Sequence, residues 1–92
     1  MKPRYILLDA AFEKRFSKYK SRLDDAGRRH LKQRFEIFRY DVFDKRLKTH
    51  KLKGNLSDYY AFSISHSDRI VFKILDDEGV LLIEVGSHDV CY

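Results

Sequence analysis

The chain predicts an α+β fold of order β-α-α-β-β-β, an antiparallel sheet with two helices packed on one face. Three observations carry this expectation. Apolar residues recur at helical spacing through the first half, they switch to a period of two from Tyr59, and short polar or acidic connections separate the later runs.

Arg4 to Leu8 reads as the first strand. Asp9 is placed to cap a helix whose apolar stripe is Phe12, Phe16, Tyr19 and Leu23, at spacings of four, three and four. Asp24-Asp25-Ala26-Gly27 supplies a turn, and Leu31, Phe35, Phe38 and Val42 repeat the spacing with Lys and Arg at most intervening positions. Two amphipathic helices in a hairpin follow. Tyr60, Phe62 and Ile64 then alternate with Tyr59, Ala61, Ser63 and Ser65, and Ile70, Phe72 and Ile74 alternate with Arg69, Val71 and Lys73, so both segments read as half-buried strands. His66-Ser67-Asp68 and Asp76-Asp77-Glu78-Gly79 suit tight connections, the second leading into the apolar strand Val80 to Val85. The three later strands form a meander, and the first strand joins an edge of the sheet that the pattern does not specify.

Ninety-two residues, 43% of them hydrophobic, fit one domain, residues 1–92, with one modest core. A lone cysteine, Cys91, excludes an internal disulfide, and no apolar run is long enough for a signal-peptide core or a membrane span, so a cytoplasmic protein is expected. Charge is unevenly distributed. Residues 1–53 carry 17 Lys and Arg against 7 Asp and Glu, net +10, and residues 54–92 carry 2 against 7, net −5. A cationic half on a small domain is the footprint of a phosphate-backbone ligand, or simply a solvated helical surface.

Within Lys45 to Lys53 lie five Lys and Arg, one His and no acid, on what reads as an exposed loop or short helix. Arg46, Lys48, Lys51 and Lys53 are candidate phosphate contacts. His50 sits among these cations, where neighbouring positive charge favours the neutral imidazole, the form able to accept a proton. Arg69 by alternation points away from Ile70, Phe72 and Ile74, where it could brace a phosphate or pair with Asp68 or Glu84 across the sheet. His66 could orient or share a proton with Asp68. His88 and Tyr92 follow the last strand and could fold back as a proton donor and a stacking ring, or form a functionless tail. Imidazoles, a carboxylate and fixed cations are the groups needed to cleave RNA without a metal. The four histidines are too scattered for a zinc site, and the isolated glycines form no phosphate-binding loop.

Together, the short β-α-α-β-β-β chain, His50-Lys51-Leu52-Lys53-Gly54, Tyr59 to Ser65, Asp68-Arg69-Ile70-Val71-Phe72 and Gly86-Ser87-His88-Asp89-Val90-Cys91-Tyr92 resemble the RelE/ParE toxin superfamily, closest to its YafQ and YoeB branches. The resemblance covers nearly the whole chain. It implies a ribosome-dependent endoribonuclease toxin that cuts mRNA in the decoding site, where it would also contact 16S rRNA. It further implies silencing by a cognate antitoxin in a hetero-oligomer, with no cofactor and no membrane. On this resemblance His50, Asp68 and His88 stand where YafQ-type members place catalytic groups, Tyr92 matches their active-site aromatic, and Arg69 resembles the catalytic arginine of YoeB-type members. The family chemistry is attack of a 2′-hydroxyl on the adjacent phosphate, with His50 as base, His88 as acid and Arg69 as phosphate stabiliser. One departure is plain: YafQ-type members place a histidine within the first meander strand, where this chain has Ser63, Ile64 and Ser65, with His66 displaced into the turn. Rival readings are a non-catalytic ParE-like toxin acting on DNA gyrase and a plain basic RNA-binding domain.

Overall fold

A computed structural model describes residues 1–54 and 58–87. The elements are β1 (Ile6–Leu8), α1 (Ala10–Ser21), α2 (Asp25–Tyr40), a 3-10 turn (Lys45–Leu47), β2 (His50–Lys51), β3 (Tyr59–Ser63), β4 (Asp68–Ile74) and β5 (Val80–Ser87). The strands form one five-stranded sheet in the order β1-β5-β4-β3-β2. Every pairing is antiparallel except β1 with β5, which is parallel. The sheet is therefore mixed, because α1 and α2 and the meander return the chain to β5 in the same direction as β1. Among the described residues no helix is long and apolar enough to cross a membrane.

Both helices begin on an aspartate. Asp9 accepts from the backbone N–H of Ala11 and Phe12, and Asp24 accepts from that of Gly27 at 2.7 Å, meeting donors that a helix start leaves without partners. The expected Asp24 to Gly27 turn is thus a cap and the first turn of α2. A β-carbon on Gly27 would stand 3.2 Å from the capping Asp24 oxygen, so glycine fits where capping draws the chain in tightly. At its other end α2 stops at Tyr40. Val42, expected on its stripe, instead lies fully buried just past the helix, with its N–H donated to the Met1 carbonyl.

The core lies between the helices and one sheet face, and phenylalanines dominate it. Phe38 stacks on Phe62 with ring centroids 4.2 Å apart and meets Phe72 edge-on at 5.1 Å, while Phe16 and Phe35, 5.5 Å apart, join the two helices. The opposite sheet face is not open either. Leu52, Ala61 and Val71 form a second small buried cluster there, so the meander strands are covered on both faces over part of their length.

The basic segment expected to be a loop or short helix is both a turn and a strand. After the 3-10 turn, His50–Lys51 pairs with β3, His50 opposite Ala61 and Lys51 opposite Tyr60. A two-residue strand leaves almost no periodic signal, which is why the pattern of the sequence missed it. A second irregularity lies in β5. Val71 pairs with Glu84 and Phe72 with Leu82, so Ile83 is an extra residue, a β-bulge. Without it Glu84 would stand opposite core-facing Ile70; with it Leu82 and Val85 both reach the core and Glu84 turns away.

Because Phe38 touches both β3 and β4 through aromatic contacts, Phe38→Ala is expected to lower stability by about 3–5 kcal/mol. Denaturant unfolding should show this as a lower midpoint at an unchanged slope.

Candidate active site

Strand alternation assembles the site. Cross-strand pairing puts Ser63, Arg69 and Gly86 in one row and His50, Ala61 and Val71 in the next, on the face away from the helices. Arg69 therefore lies between a residue with a small side chain and one with none. That leaves room for its long side chain to lie down on the sheet, and it is 6% exposed. The face is the one its alternation predicts, but the guanidinium is buried where an outward one was expected, with Nη1 against His50. The bulge contributes here as well, since an unbulged ladder would place Val85 opposite Arg69.

Nη1 of Arg69 lies 3.4 Å from Nε2 of His50, and Nδ1 of His50 lies 3.1 Å from the Lys48 carbonyl oxygen. A carbonyl only accepts and a guanidinium only donates, so the pair fixes the imidazole with its proton on Nδ1 and its lone pair on Nε2. Lys48 holds this carbonyl in place from a left-handed backbone conformation, φ +54°. For an L-residue that costs on the order of 1–2 kcal/mol.

Arg34 of α2 locks the loop to the sheet. Its guanidinium donates to the Ser63 carbonyl from Nε at 3.1 Å and from Nη2 at 2.8 Å, and to the Arg46 carbonyl from Nη2 at 2.6 Å. Burial, reinforced by the Arg46 charge, pushes its pKa down from the usual arginine range. Nothing in the sequence separates Arg34 from the other cations of α2. Asp44 caps the 3-10 turn and takes Arg46 bidentately, Nε at 3.0 Å and Nη2 at 2.9 Å, and these bonds bring its carboxyl down to about 2.

Asp68, one residue before Arg69, faces the other side of the sheet. Its carboxylate accepts from the Tyr19 hydroxyl at 2.9 Å, and its N–H donates to Ser65 Oγ. Burial, then the bond to Asp68, pushes the Tyr19 hydroxyl up to about 12, so it stays a proton donor. Sequence reasoning placed Tyr19 in the buried stripe of α1 and missed this pairing; a hydroxyl within an apolar stripe was the available signal. Glu84, the other carboxylate considered for Arg69, holds Arg15 at 2.7 Å.

A cavity of about 640 Å³ opens over this end of the sheet. Lys48, His50, His66, Asp68 and Arg69 line it together, with the hydroxyls of Ser63, Ser67 and Ser87 between them. Arg46, Lys51 and Lys53 stand outside its lining. His88 and Tyr92 lie outside the described residues, and Ser87, the residue before His88, is part of the wall. The arrangement supplies an imidazole, a buried cation and serine hydroxyls around a concavity of nucleotide size.

No protein-family model and no curated protein matches the chain by sequence. Solved structures do match its fold. The E. coli DinJ–YafQ toxin–antitoxin complex contains a chain that superposes with a TM-score of 0.71 at 17% identity, over 100% of this chain and 99% of that one. The YoeB/ParE toxin from Agrobacterium tumefaciens gives 0.69 at 16% identity, covering 96% and 99%, and the YoeB–YefM complex from Staphylococcus aureus gives 0.68 at 20%, covering 90% and 94%. The structural neighbours are YafQ, YoeB and ParE-like toxins, and the chain has the RelE-like toxin fold.

Since the Tyr19 value in the folded chain lies above the ordinary 10.0, folding favours its neutral form; this contribution is intact below pH 10 and disappears as pH rises through about 12. In an alkaline titration of phenolate absorbance, Tyr19→Phe should remove a step near pH 12 and leave the other tyrosines titrating as before.

Proposed function

We propose that this chain is an endoribonuclease toxin that cleaves mRNA on the ribosome without a metal and is neutralised by a cognate antitoxin. The shared toxin fold supports the class, and one observation carries the chemistry: His50 Nε2 beside Arg69 Nη1, over a cavity that could admit a nucleotide.

In this reading the scissile phosphate draws the guanidinium of Arg69 off His50 and onto its non-bridging oxygens. Nε2 is then free to take the proton of the adjacent 2′-hydroxyl. The 2′-oxygen attacks phosphorus, the bond to the 5′-oxygen breaks, and a 2′,3′-cyclic phosphate and a 5′-hydroxyl result. Charge building on the pentacoordinate phosphate is met by Arg69, whose burial strengthens the attraction, and by Lys48 at the rim. The leaving oxygen needs a proton. His88 is assigned that role, one residue beyond the cavity wall at Ser87, with Asp68 orienting the acid and His66 on the rim able to serve in its place. Arg46, Lys51 and Lys53, with Tyr92, are assigned to the flanking RNA, mRNA or 16S rRNA. The antitoxin is expected to lay an acidic segment across the basic half, where net +10 favours it.

A non-catalytic toxin directed at gyrase has no use for an imidazole with its lone pair held over a buried cation, so the geometry favours cleavage. Mapping mRNA ends after brief expression in cells tests the choice. His50→Ala and His88→Ala should each reduce cleavage by roughly 10²–10⁴, the range for a positioned base or acid. Growth inhibition that persists in both variants while DNA supercoiling fails would overturn the ribonuclease reading.

A further inference from the structure

We infer that a second cavity, on the helix side of the same sheet end, binds the phosphodiester and nucleoside next to the one that is cut; this rests on the ribonuclease reading above. The cavity measures about 540 Å³. Arg15 and Lys18 of α1 and Arg22, the residue that caps its carboxy end, are spaced by three and four and line it from above. Tyr19, Leu23 and Val85 give it apolar walls against which a base or sugar can pack.

Its position is what ties it to the substrate strand. Asp68 and Ser87 line both cavities, and they are paired at the last rung of the β4–β5 ladder. That rung is the ridge between the two hollows. A carboxylate on the ridge repels a phosphate but accepts from a ribose hydroxyl, so a strand crosses it with a sugar over Asp68 and a phosphate on either side. Arg69 and Lys48 meet one phosphate. Arg15 is held by Glu84 at 2.7 Å, so Lys18 and Arg22 meet the other. An acidic peptide could satisfy the cations, but it would make no use of the continuity with the catalytic cavity.

The test is binding of a dinucleotide and a hexanucleotide RNA across a salt series, with His50→Ala in both proteins so that the RNA stays intact. Lys18→Gln with Arg22→Gln, both exposed positions, should leave dinucleotide affinity unchanged. For the hexanucleotide, the slope of log affinity against log salt should become shallower by about 0.7 for each phosphate that is no longer neutralised. Equal slopes in the two proteins would overturn the subsite. So would a variant that loses only affinity for an oligoglutamate peptide, which would assign the cavity to a protein partner. If the slope becomes shallower as expected but mRNA cleavage in cells survives His50→Ala, the strand-binding cavity stands and the catalytic reading fails.

Discussion

Each residue of an extended strand must face one side of its sheet or the other, and in β4 that two-way choice arranges the whole site. Ile70, Phe72 and Ile74 are claimed by the aromatic core under the helices. Arg69 is then committed to the opposite face and Asp68 to the helix side. Two adjacent polar residues thus serve two hollows, one meeting His50 and the other meeting Tyr19. A slip of one residue would bury Arg69 among phenylalanines and expel Ile70, at a cost no nearby interaction could offset.

The same constraint explains the bulge. Val80 and Leu82 obey the period of two, but continuing it would bring Glu84 into the core and set Val85 against Arg69. One extra residue at Ile83 resets the count, so Val85 reaches the core, Glu84 meets Arg15 and Gly86 stands opposite Arg69. The irregularity serves packing and the site at once.

Around this frame several cations have structural partners. Arg34 fastens the loop to β3, Arg46 closes on Asp44, and Arg15 closes on Glu84. Arg69 is buried yet reaches the cavity through His50, and Lys48 orients the imidazole with its carbonyl while its side chain reaches the rim. The number of lysines and arginines overstates how many free cations a ligand would meet, because Arg46 and Arg15 are already ion-paired.

The helices, the meander strands, the caps' general location and the face of Arg69 were legible in the sequence because each follows from local spacing: 3.6 residues per helical turn, two per strand, and aspartate at a helix start. The pairing of β2 with β3, the parallel seat of β1, the bulge, the Tyr19–Asp68 bond and the Arg34 lock were not, because none has a local signature. His50 and Arg69 are 19 residues apart, Tyr19 and Asp68 are 49 apart, and Arg34 and Ser63 are 29 apart. The chain by itself determined which residue types could do the chemistry and which face each strand residue would take. Only tertiary packing decided which of them meet, since contacts between distant residues form when the core closes and brings their strand ends together.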